Sequence, residues 1–201
     1  MPEAVIFDYG AGNLLSLKVA LEKVGLKAKI SASKEAVKAA DAIALPGVGN
    51  FSAAAKKLEP AKCEIVSAAS NGVPLLGICL GLQLFFPRSE EGTGSGLSLY
   101  DGKTIWLPNI VKVPHMGWNT LRITKQNELL EGIEDESYVY FVHSLYPIPS
   151  DKKLVCTETD YGTTFASSIA DRNVFGTQFH PEKSGDVGLA ILKNFARIIK
   201  K

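Results

Sequence analysis

The chain has 201 residues, of which 46% are apolar and 21% are charged, and its formal net charge is +1. These values exclude a disordered or collagen-like chain and leave no strong basic field to attract nucleic acid. At roughly 150 residues per domain, we expect one domain that spans residues 1–201. Three cysteines without a Cys-x-x-Cys pattern, and no run of about 18 apolar residues, favour a cytoplasmic protein with neither disulfides nor a membrane span.

The first half of the chain alternates short apolar runs with helical patterns. Strands are predicted at residues 4–9, 28–31, 42–45 and 73–78, and helices at 14–24, 34–40, 51–58, 61–70 and from about residue 80. This alternation predicts right-handed crossovers and a parallel sheet with helices on both faces. Active sites in such sheets gather at the carboxyl ends of the strands, which here are residues 9–10, 46–47 and 78–79.

The second half is richer in β-type patterns. Strands are predicted at residues 104–106, 110–113, 120–124, 138–142, 154–159, 165–170 and 174–178, and a final helix at 187–199. These strands are typical of antiparallel meanders packed on the first half. We therefore predict an α/β fold with a mostly parallel central sheet flanked by helices, and with an additional antiparallel β region.

Cys79 lies in the most informative stretch, where an apolar strand runs into Gly77-x-Cys79-x-Gly81 and then into a helix. This is the pattern of a nucleophile elbow in which cysteine replaces serine. The sharp turn brings the residues two before and two after the nucleophile close together, so both must be small. The helix aims unpaired N–H groups at the sulfur and favours the reactive thiolate. Cys63 and Cys156 are expected to be ordinary buried cysteines.

An activated thiolate needs a base and a group that orients the base. His180 follows a predicted strand, and residues two apart in an extended segment share a face, so Glu182 should point the same way. Pro181 favours an extended backbone at His180. We therefore predict a triad of Cys79, His180 and Glu182 that the fold assembles. A surface turn with an incidental histidine is the alternative for the His-Pro-Glu run taken by itself.

An acyl-transfer site also needs N–H donors for the oxyanion that forms during the reaction. One donor is expected from Leu80, which directly follows the nucleophile. A second is expected from Gly47-Val48-Gly49, because glycines let backbone N–H groups approach a ligand and reorient. The alternative for this segment is a plain strand-to-helix turn.

Several other motifs are incomplete. Residues 10–12 lack the third glycine of a dinucleotide fingerprint, and residues 102–104 lack the leading glycine and strand of a phosphate loop. Residues 180–182 lack the downstream cysteines of a zinc deaminase. His115 and His143 have no partner at metal-ligand spacing, so each is expected to be structural, and no metal or cofactor is predicted.

Together these residues resemble the class I glutamine amidotransferases, whose nucleophile motif matches residues 77–83 and whose second motif matches residues 179–182. Further segments look like the glutaminase subunits of imidazole glycerol phosphate synthase, an enzyme of histidine biosynthesis. They lie at residues 7–13, 45–49, 114–119 and 140–144, and the run His115-Met116-Gly117-Trp118-Asn119 is the most specific. The resemblance covers essentially the whole chain and implies a flavodoxin-like fold.

The resemblance implies that glutamine is hydrolysed to glutamate and ammonia through a thioester on Cys79. His180, oriented by Glu182, would protonate the leaving ammonia and then activate water. Also implied are a glutamine site and an oxyanion strand. The matching positions are Gly47, Gln83, His143, Ser144 and Leu145 for glutamine, and Val48 and Gly49 for the oxyanion.

A partner is implied as well, because the family docks on a (β/α)₈-barrel cyclase subunit that receives the ammonia. Asn13, Trp118, Tyr140 and Lys183 match positions at or near that interface. Tryptophan is common at interface hot spots, although an ordinary core aromatic is the alternative for Trp118. In the family the glutaminase is weak until the barrel binds its own ligand. Our hypothesis for this control is a peptide in residues 47–49 that must flip before its N–H can serve the oxyanion.

Two other functions stay open on the sequence alone. Another member of the superfamily, such as the glutaminase of a different synthase or a γ-glutamyl hydrolase, would keep the triad, but residues 114–119 argue against it. A non-catalytic interaction module would keep the fold alone, and the intact Cys79, His180 and Glu182 argue against that.

Overall fold

The computed structural model of the protein describes residues 1–10 and 12–200. Within them the strands are β1 (Glu3–Phe7), β2 (Lys27–Ser31), β3 (Ala42–Leu45), β4 (Leu75–Ile78), β5 (Gly102–Trp106), β6 (His115–Ile123), β7 (Ser137–His143), β8 (Leu145–Pro149), β9 (Val155–Asp160), β10 (Thr164–Asp171) and β11 (Val174–Thr177). The helices are α1 (Leu14–Lys23), α2 (Lys34–Ala39), α3 (Phe51–Leu58), α4 (Lys62–Ser70), α5 (Leu80–Gln83) and α6 (Gly185–Ile199). The predicted turn at residues 10–13 includes Ala11, which lies outside the described residues.

A nine-stranded sheet runs through the molecule in the order β2-β1-β3-β4-β11-β10-β9-β6-β7. The strands from β2 to β11 are parallel, and those from β11 to β7 are antiparallel. The predicted α/β class with an antiparallel region is therefore confirmed. The antiparallel strands do not pack on the parallel half as a separate meander, because β11 joins both halves into one sheet. A second sheet pairs β5 with β8.

The large sheet separates two apolar cores, which explains the continuous apolar runs of its parallel strands. Along β1, Ala4 and Ile6 face the core covered by α1 and α6, while Val5 and Phe7 face the core covered by α2, α3 and α4. Helix α6 buries Ile191, Leu192 and Phe195 against the first core. Among the described residues, no helix combines the length and apolar character needed to cross a membrane.

One predicted strand of the second half is wrong, and one strand of the structure is not predicted. Residues 110–113 form turns instead of a strand, and Ile110 is exposed. The flanking Pro108 and Pro114 lack an N–H and interrupt any ladder there. Conversely, β8, which contains Pro147 and Pro149, is not among the predicted strands. The proline-containing strand is tolerated because it pairs only with β5 in the small sheet.

Strand β6 begins at His115, five residues earlier than predicted, so residues 115–119 form a strand paired with β7. Helix α5 is only four residues long and ends at Gln83, well before Pro87. Leu80 and Leu82 of this short helix are nevertheless buried in the second core.

Backbones approach unusually closely where β3, β4 and α5 meet. A methyl group on Gly81 would overlap the carbonyl oxygen of Leu45, and one on Gly47 would overlap the carbonyl of Ile78 and the amide of Leu80. Gly77 lies against the backbone of Gly81 in the same way. Only glycine permits these approaches, as expected for residues two before and two after an elbow nucleophile.

We expect Gly81→Ala to lower the free energy of unfolding by about 3 kcal/mol, the upper range for overpacking, because Leu45 lies in a strand that cannot move aside. Gly72→Ala is the matched control. Gly72 has a φ of 90°, but an added methyl group meets no described atom within 4 Å, so the cost is limited to about 1–2 kcal/mol of backbone strain. Urea unfolding followed by circular dichroism measures both. If both variants lost the same free energy of unfolding, the close packing at the elbow would be contradicted.

Candidate active site

Cys79 occupies the sharp turn between β4 and α5. Its φ is 51° and its ψ is −103°, a conformation that is strained for any residue other than glycine. Its amide donates a hydrogen bond of 2.6 Å to the carbonyl of Thr177 in β11, and its side chain is buried. The strained turn projects the sulfur away from the strand axis at the carboxyl end of the sheet, as the elbow pattern predicts.

His180 and Glu182 form a buried pair. Nδ1 of His180 lies 2.8 Å from Oε1 of Glu182, and the two side chains are only 2% and 5% exposed. The backbone N–H of His180 donates to the carbonyl of Tyr140 at 2.9 Å, and Oγ of Ser184 donates to the carbonyl of His180 at 2.7 Å. Pro181–Lys183 form a 3₁₀ turn instead of an extended segment, yet the carboxylate still reaches the ring. Among the described residues, Nε2 of His180 has no hydrogen-bond partner.

The charges around His180 favour its protonated form. Burial by itself lowers the pKa of His180, but interactions with Cys79 and Glu182 outweigh burial and raise the pKa to about 10. The ring is therefore an imidazolium at neutral pH. Tyr9, two residues after the end of β1, also interacts with the sulfur. Burial, followed by the charge of Cys79, holds the pKa of the Tyr9 hydroxyl well above its ordinary value.

Gln178 also contacts the sulfur, and we did not predict this. Its Nε2 lies 3.3 Å from Sγ of Cys79, and its Oε1 accepts a hydrogen bond of 3.2 Å from Nε2 of Gln83. Nε2 of Gln83 also donates to the carbonyl of Leu145 at 3.0 Å. Alternation back from residues 180 and 182 places residue 178 on the same face, but no local pattern indicates that Gln178 reaches Cys79, which lies 99 positions away.

The predicted oxyanion residues lie beside the elbow. Gly47 is packed against the amide of Leu80, and Val48 and Gly49 follow on the exposed side of the same loop. Gly49 has a φ of 151°, which few side chains tolerate. The structure therefore brings Leu80 and the start of the 47–49 segment together at the edge of the site.

The predicted glutamine-contacting stretch at residues 143–145 borders the site through its backbone. The His143 ring is buried, with Nδ1 2.9 Å from the carbonyl of Leu145 and Nε2 3.0 Å from Nδ1 of His115. Burial lowers the pKa of His143 to about 3 and that of His115 to about 4, so both rings are neutral. These bonds are compatible with the structural role predicted for both histidines. Ser144 is half-buried, and its carbonyl accepts from the amide of Leu107 at 2.8 Å.

Three of the predicted interface residues form one surface cluster. Trp118 is 55% exposed and packs edge to face on Tyr140, with 6.0 Å between the ring centroids. The ammonium group of Lys183 lies 5.9 Å from the centre of the Tyr140 ring, within cation–π range. Asn13 is also exposed, and its side chain caps α1 by accepting from the amide of Ser16. The exposure of Trp118 excludes the core alternative.

The other two cysteines differ from each other. Cys156 is buried, as predicted, and burial raises the pKa of its thiol. Cys63 is exposed on α4, so the prediction that it is buried is wrong. Its neighbours Ile65 and Ala69 turn the apolar face of α4 towards the core, and Cys63 falls outside that face.

Residues 5–199 match the family described as glutamine amidotransferase class-I. The imidazole glycerol phosphate synthase subunit HisH of Methanothermobacter thermautotrophicus is 48% identical over 196 residues, which cover 97% of this chain and 98% of that protein. The HisH subunits of Pyrococcus furiosus and Aquifex aeolicus are 46% and 47% identical over 98% of this chain, and the matches cover 100% and 97% of those proteins.

Solved structures agree on the fold. The structure of PurLQS from Thermotoga maritima matches with a TM-score of 0.78 and 20% identity, covering 98% of each chain. A putative GMP synthase component from Thermoplasma acidophilum matches with a TM-score of 0.75 and 18% identity, covering 100% of this chain and 94% of that one. At these identities the likeness extends to the fold alone.

We expect the His180 ring to stay protonated up to about pH 10, and Glu182→Gln to lower its pKa because the variant removes a negative partner. NMR titration of the imidazole Cε1–H signals measures this, with the neutral His115 and His143 as internal references. Because the folded pKa exceeds 6.5, protonation stabilises the fold fully below about pH 6.5, and this stability is lost as the pH rises through about 10. If His180 had an ordinary pKa in both the wild-type protein and Glu182→Gln, the pairing of His180 with Glu182 would be contradicted.

Proposed function

Because the chain belongs to the class-I glutamine amidotransferase family and, within it, to the imidazole glycerol phosphate synthase subunits HisH, we propose that it is the glutaminase subunit of that synthase in histidine biosynthesis. It hydrolyses glutamine to glutamate and ammonia. The observation that carries the proposal is geometric: the elbow cysteine Cys79, at a φ of 51°, follows β4, and the buried pair of His180 and Glu182 follows the neighbouring parallel strand β11. A buried charge is costly unless it is paired, and the Glu182 carboxylate pairs with the His180 ring at 2.8 Å.

In the first half of the reaction the thiolate of Cys79 attacks the side-chain amide carbon of glutamine. The carbonyl oxygen becomes an oxyanion, and the N–H of Leu80 with an N–H of the 47–49 segment donates hydrogen bonds to it. The imidazolium of His180 gives its proton to the amide nitrogen, which leaves as ammonia. A thioester remains on the sulfur. Glu182 keeps the ring oriented, because its Oε1 holds Nδ1 at 2.8 Å.

In the second half of the reaction His180 is neutral and accepts a proton from water. The resulting hydroxide attacks the thioester carbon, and the same N–H groups stabilise the second oxyanion. Collapse of this intermediate breaks the carbon–sulfur bond and releases glutamate and the Cys79 thiolate. His180 is again protonated, so the pair returns to its starting charges and the cycle consumes only glutamine and water.

Gln83 and residues 143–145 are proposed to contact the glutamine substrate. Gln83 lies one turn after the nucleophile, and its amide is held by Leu145 and Gln178. The side chain of His143 is occupied by His115 and Leu145, so we propose that residues 143–145 contact glutamine through backbone groups.

A partner subunit is proposed to receive the ammonia, and we assign it as a (β/α)₈-barrel cyclase. The surface cluster of Trp118, Tyr140 and Lys183 supports a docking surface there, because Trp and Tyr are enriched at interface hot spots and Trp118 is 55% exposed. Asn13 is proposed to lie at the edge of the same interface. A flip of a 47–49 peptide, made possible by Gly47 and Gly49, is proposed to couple docking to oxyanion binding.

The chain is proposed to act as one domain, because a single sheet runs from β2 to β7 and links both halves. A cytoplasmic location is proposed from the same pathway assignment. Three cysteines that form no disulfide fit a reducing compartment.

We expect glutamate release from glutamine to rise steeply when the cyclase barrel and its ribonucleotide ligand are added to the chain. Cys79→Ala should reduce turnover roughly 10⁴-fold or more, because it removes the nucleophile of the triad. Cys63→Ala is the matched control and should keep full activity, since Cys63 is exposed on α4. Strong glutamate release that does not depend on the barrel would indicate another amidotransferase or a γ-glutamyl hydrolase. No glutamate release under any of the conditions would indicate a non-catalytic module.

We expect Trp118→Ala to weaken binding of the barrel by about 2 kcal/mol, roughly 30-fold in Kd, as for an aromatic hot spot. Trp106→Ala is the matched control, because Trp106 is similarly exposed at 45% but lies on the small sheet. Isothermal titration calorimetry of both variants with the barrel measures the difference. An equal loss of barrel affinity in both variants would show that the Trp118 cluster is not part of the interface.

A further inference from the structure

The amide of Gln178 is fully buried beside the nucleophile. Its Nε2 lies 3.3 Å from Sγ of Cys79, although the two residues are 99 positions apart in the chain. The backbone N–H of Gln178 donates to the carbonyl of Ser167 in β10 at 2.8 Å, so the residue is held by the sheet. The triad chemistry of Cys79, His180 and Glu182 does not by itself require Gln178.

Neighbouring groups determine which end of the Gln178 amide faces the sulfur. The carbonyl of Leu145 can only accept a hydrogen bond, so the atom of Gln83 that lies 3.0 Å from it must be Nε2. The same Nε2 lies 3.2 Å from the Gln178 amide, which must therefore present its oxygen there. The remaining end of the Gln178 amide, the NH₂ group, is left to face Sγ.

Besides its interaction with His180, Sγ has polar contacts with Val142 and Gln178, and these two contacts suit opposite protonation states. The carbonyl of Val142, 3.6 Å from Sγ, can only accept and therefore suits a neutral S–H. The Gln178 N–H can only donate and therefore suits the thiolate, which has lone pairs but no proton. Hydrogen bonds to a charged acceptor are roughly twice as strong as neutral ones.

We propose that Gln178 is a catalytic residue whose amide N–H stabilises the Cys79 thiolate, and that Gln83 sets the direction of that amide. The inference rests on the proposed function, because it assumes that Cys79 is the nucleophile. It adds an uncharged donor to the triad and gives Gln83 a second role besides contact with substrate. Among the described residues, His180 and Tyr9 are titratable groups that interact with the sulfur, and Glu182 is paired with His180.

The test is the pH dependence of Cys79 alkylation by iodoacetamide, followed by mass spectrometry of the cysteine peptides in the full-length chain. Gln178→Met keeps the length of the side chain and removes the donor. We expect it to move the alkylation midpoint of Cys79 upwards by about one to two pH units, the effect of one hydrogen bond to a charged group. Alkylation of the exposed Cys63 in the same sample is the internal reference.

Two further variants complete the experiment. In Gln178→Glu the new side chain has almost the shape of glutamine and brings a negative charge to the sulfur, so the alkylation midpoint of Cys79 should rise at least as far. This variant replaces Gln178→Met in the experiment if Gln178→Met does not fold. Gln126→Met is the matched control, since Gln126 is exposed and should leave the midpoint unchanged.

An unchanged midpoint in folded Gln178 variants that retain wild-type glutaminase activity would overturn the inference and leave the proposed function intact. If wild-type Cys79 itself reacts no more readily than Cys63 at any pH, and no glutamate is released with the liganded barrel, the proposed function fails instead. An upward shift of the Cys79 midpoint together with a loss of glutaminase activity at neutral pH supports the inference.

Discussion

The close backbone packing around the turn at Cys79 is the constraint on which the site depends. β3, β4 and α5 meet at glycines that leave no room for a side chain, and this contact holds Cys79 at a φ of 51°. The strained turn directs the sulfur to the carboxyl edge of the sheet and brings the amide of Leu80 beside the Gly47 loop. The nucleophile and the expected oxyanion donors are therefore products of one steric arrangement.

The environment of each histidine decides its charge. His180 is buried, but it has the Glu182 carboxylate and the Cys79 sulfur beside it, and these raise its pKa. His143 and His115 are buried with a carbonyl, an amide and each other as partners, and burial lowers the pKa of both. One protonated and two neutral rings thus lie within one region, which separates a group that transfers protons from groups that hold the backbone.

The proposed partner surface and the catalytic histidine share strand β7. Tyr140 contacts Trp118 and Lys183 on the surface, while its carbonyl accepts the backbone N–H of His180 and its own N–H is bound by Ser184. A partner bound to the proposed surface would therefore contact Tyr140, whose carbonyl accepts the backbone N–H of the catalytic His180.

Sequence by itself determined the features that depend on neighbours in the chain. The strand-to-helix alternation, the small residues around Cys79 and the spacing of His180 and Glu182 all express local geometry, and each reappears in the structure. Tertiary structure alone decided the features that depend on distant partners. The proline-containing β8 is a strand because β5 pairs with it, residues 110–113 are not a strand because no described strand pairs with them, and Gln178 reaches Cys79 only because β11 lies beside β4. Pairing and burial are set by contacts between segments far apart in the chain, and no local pattern encodes them.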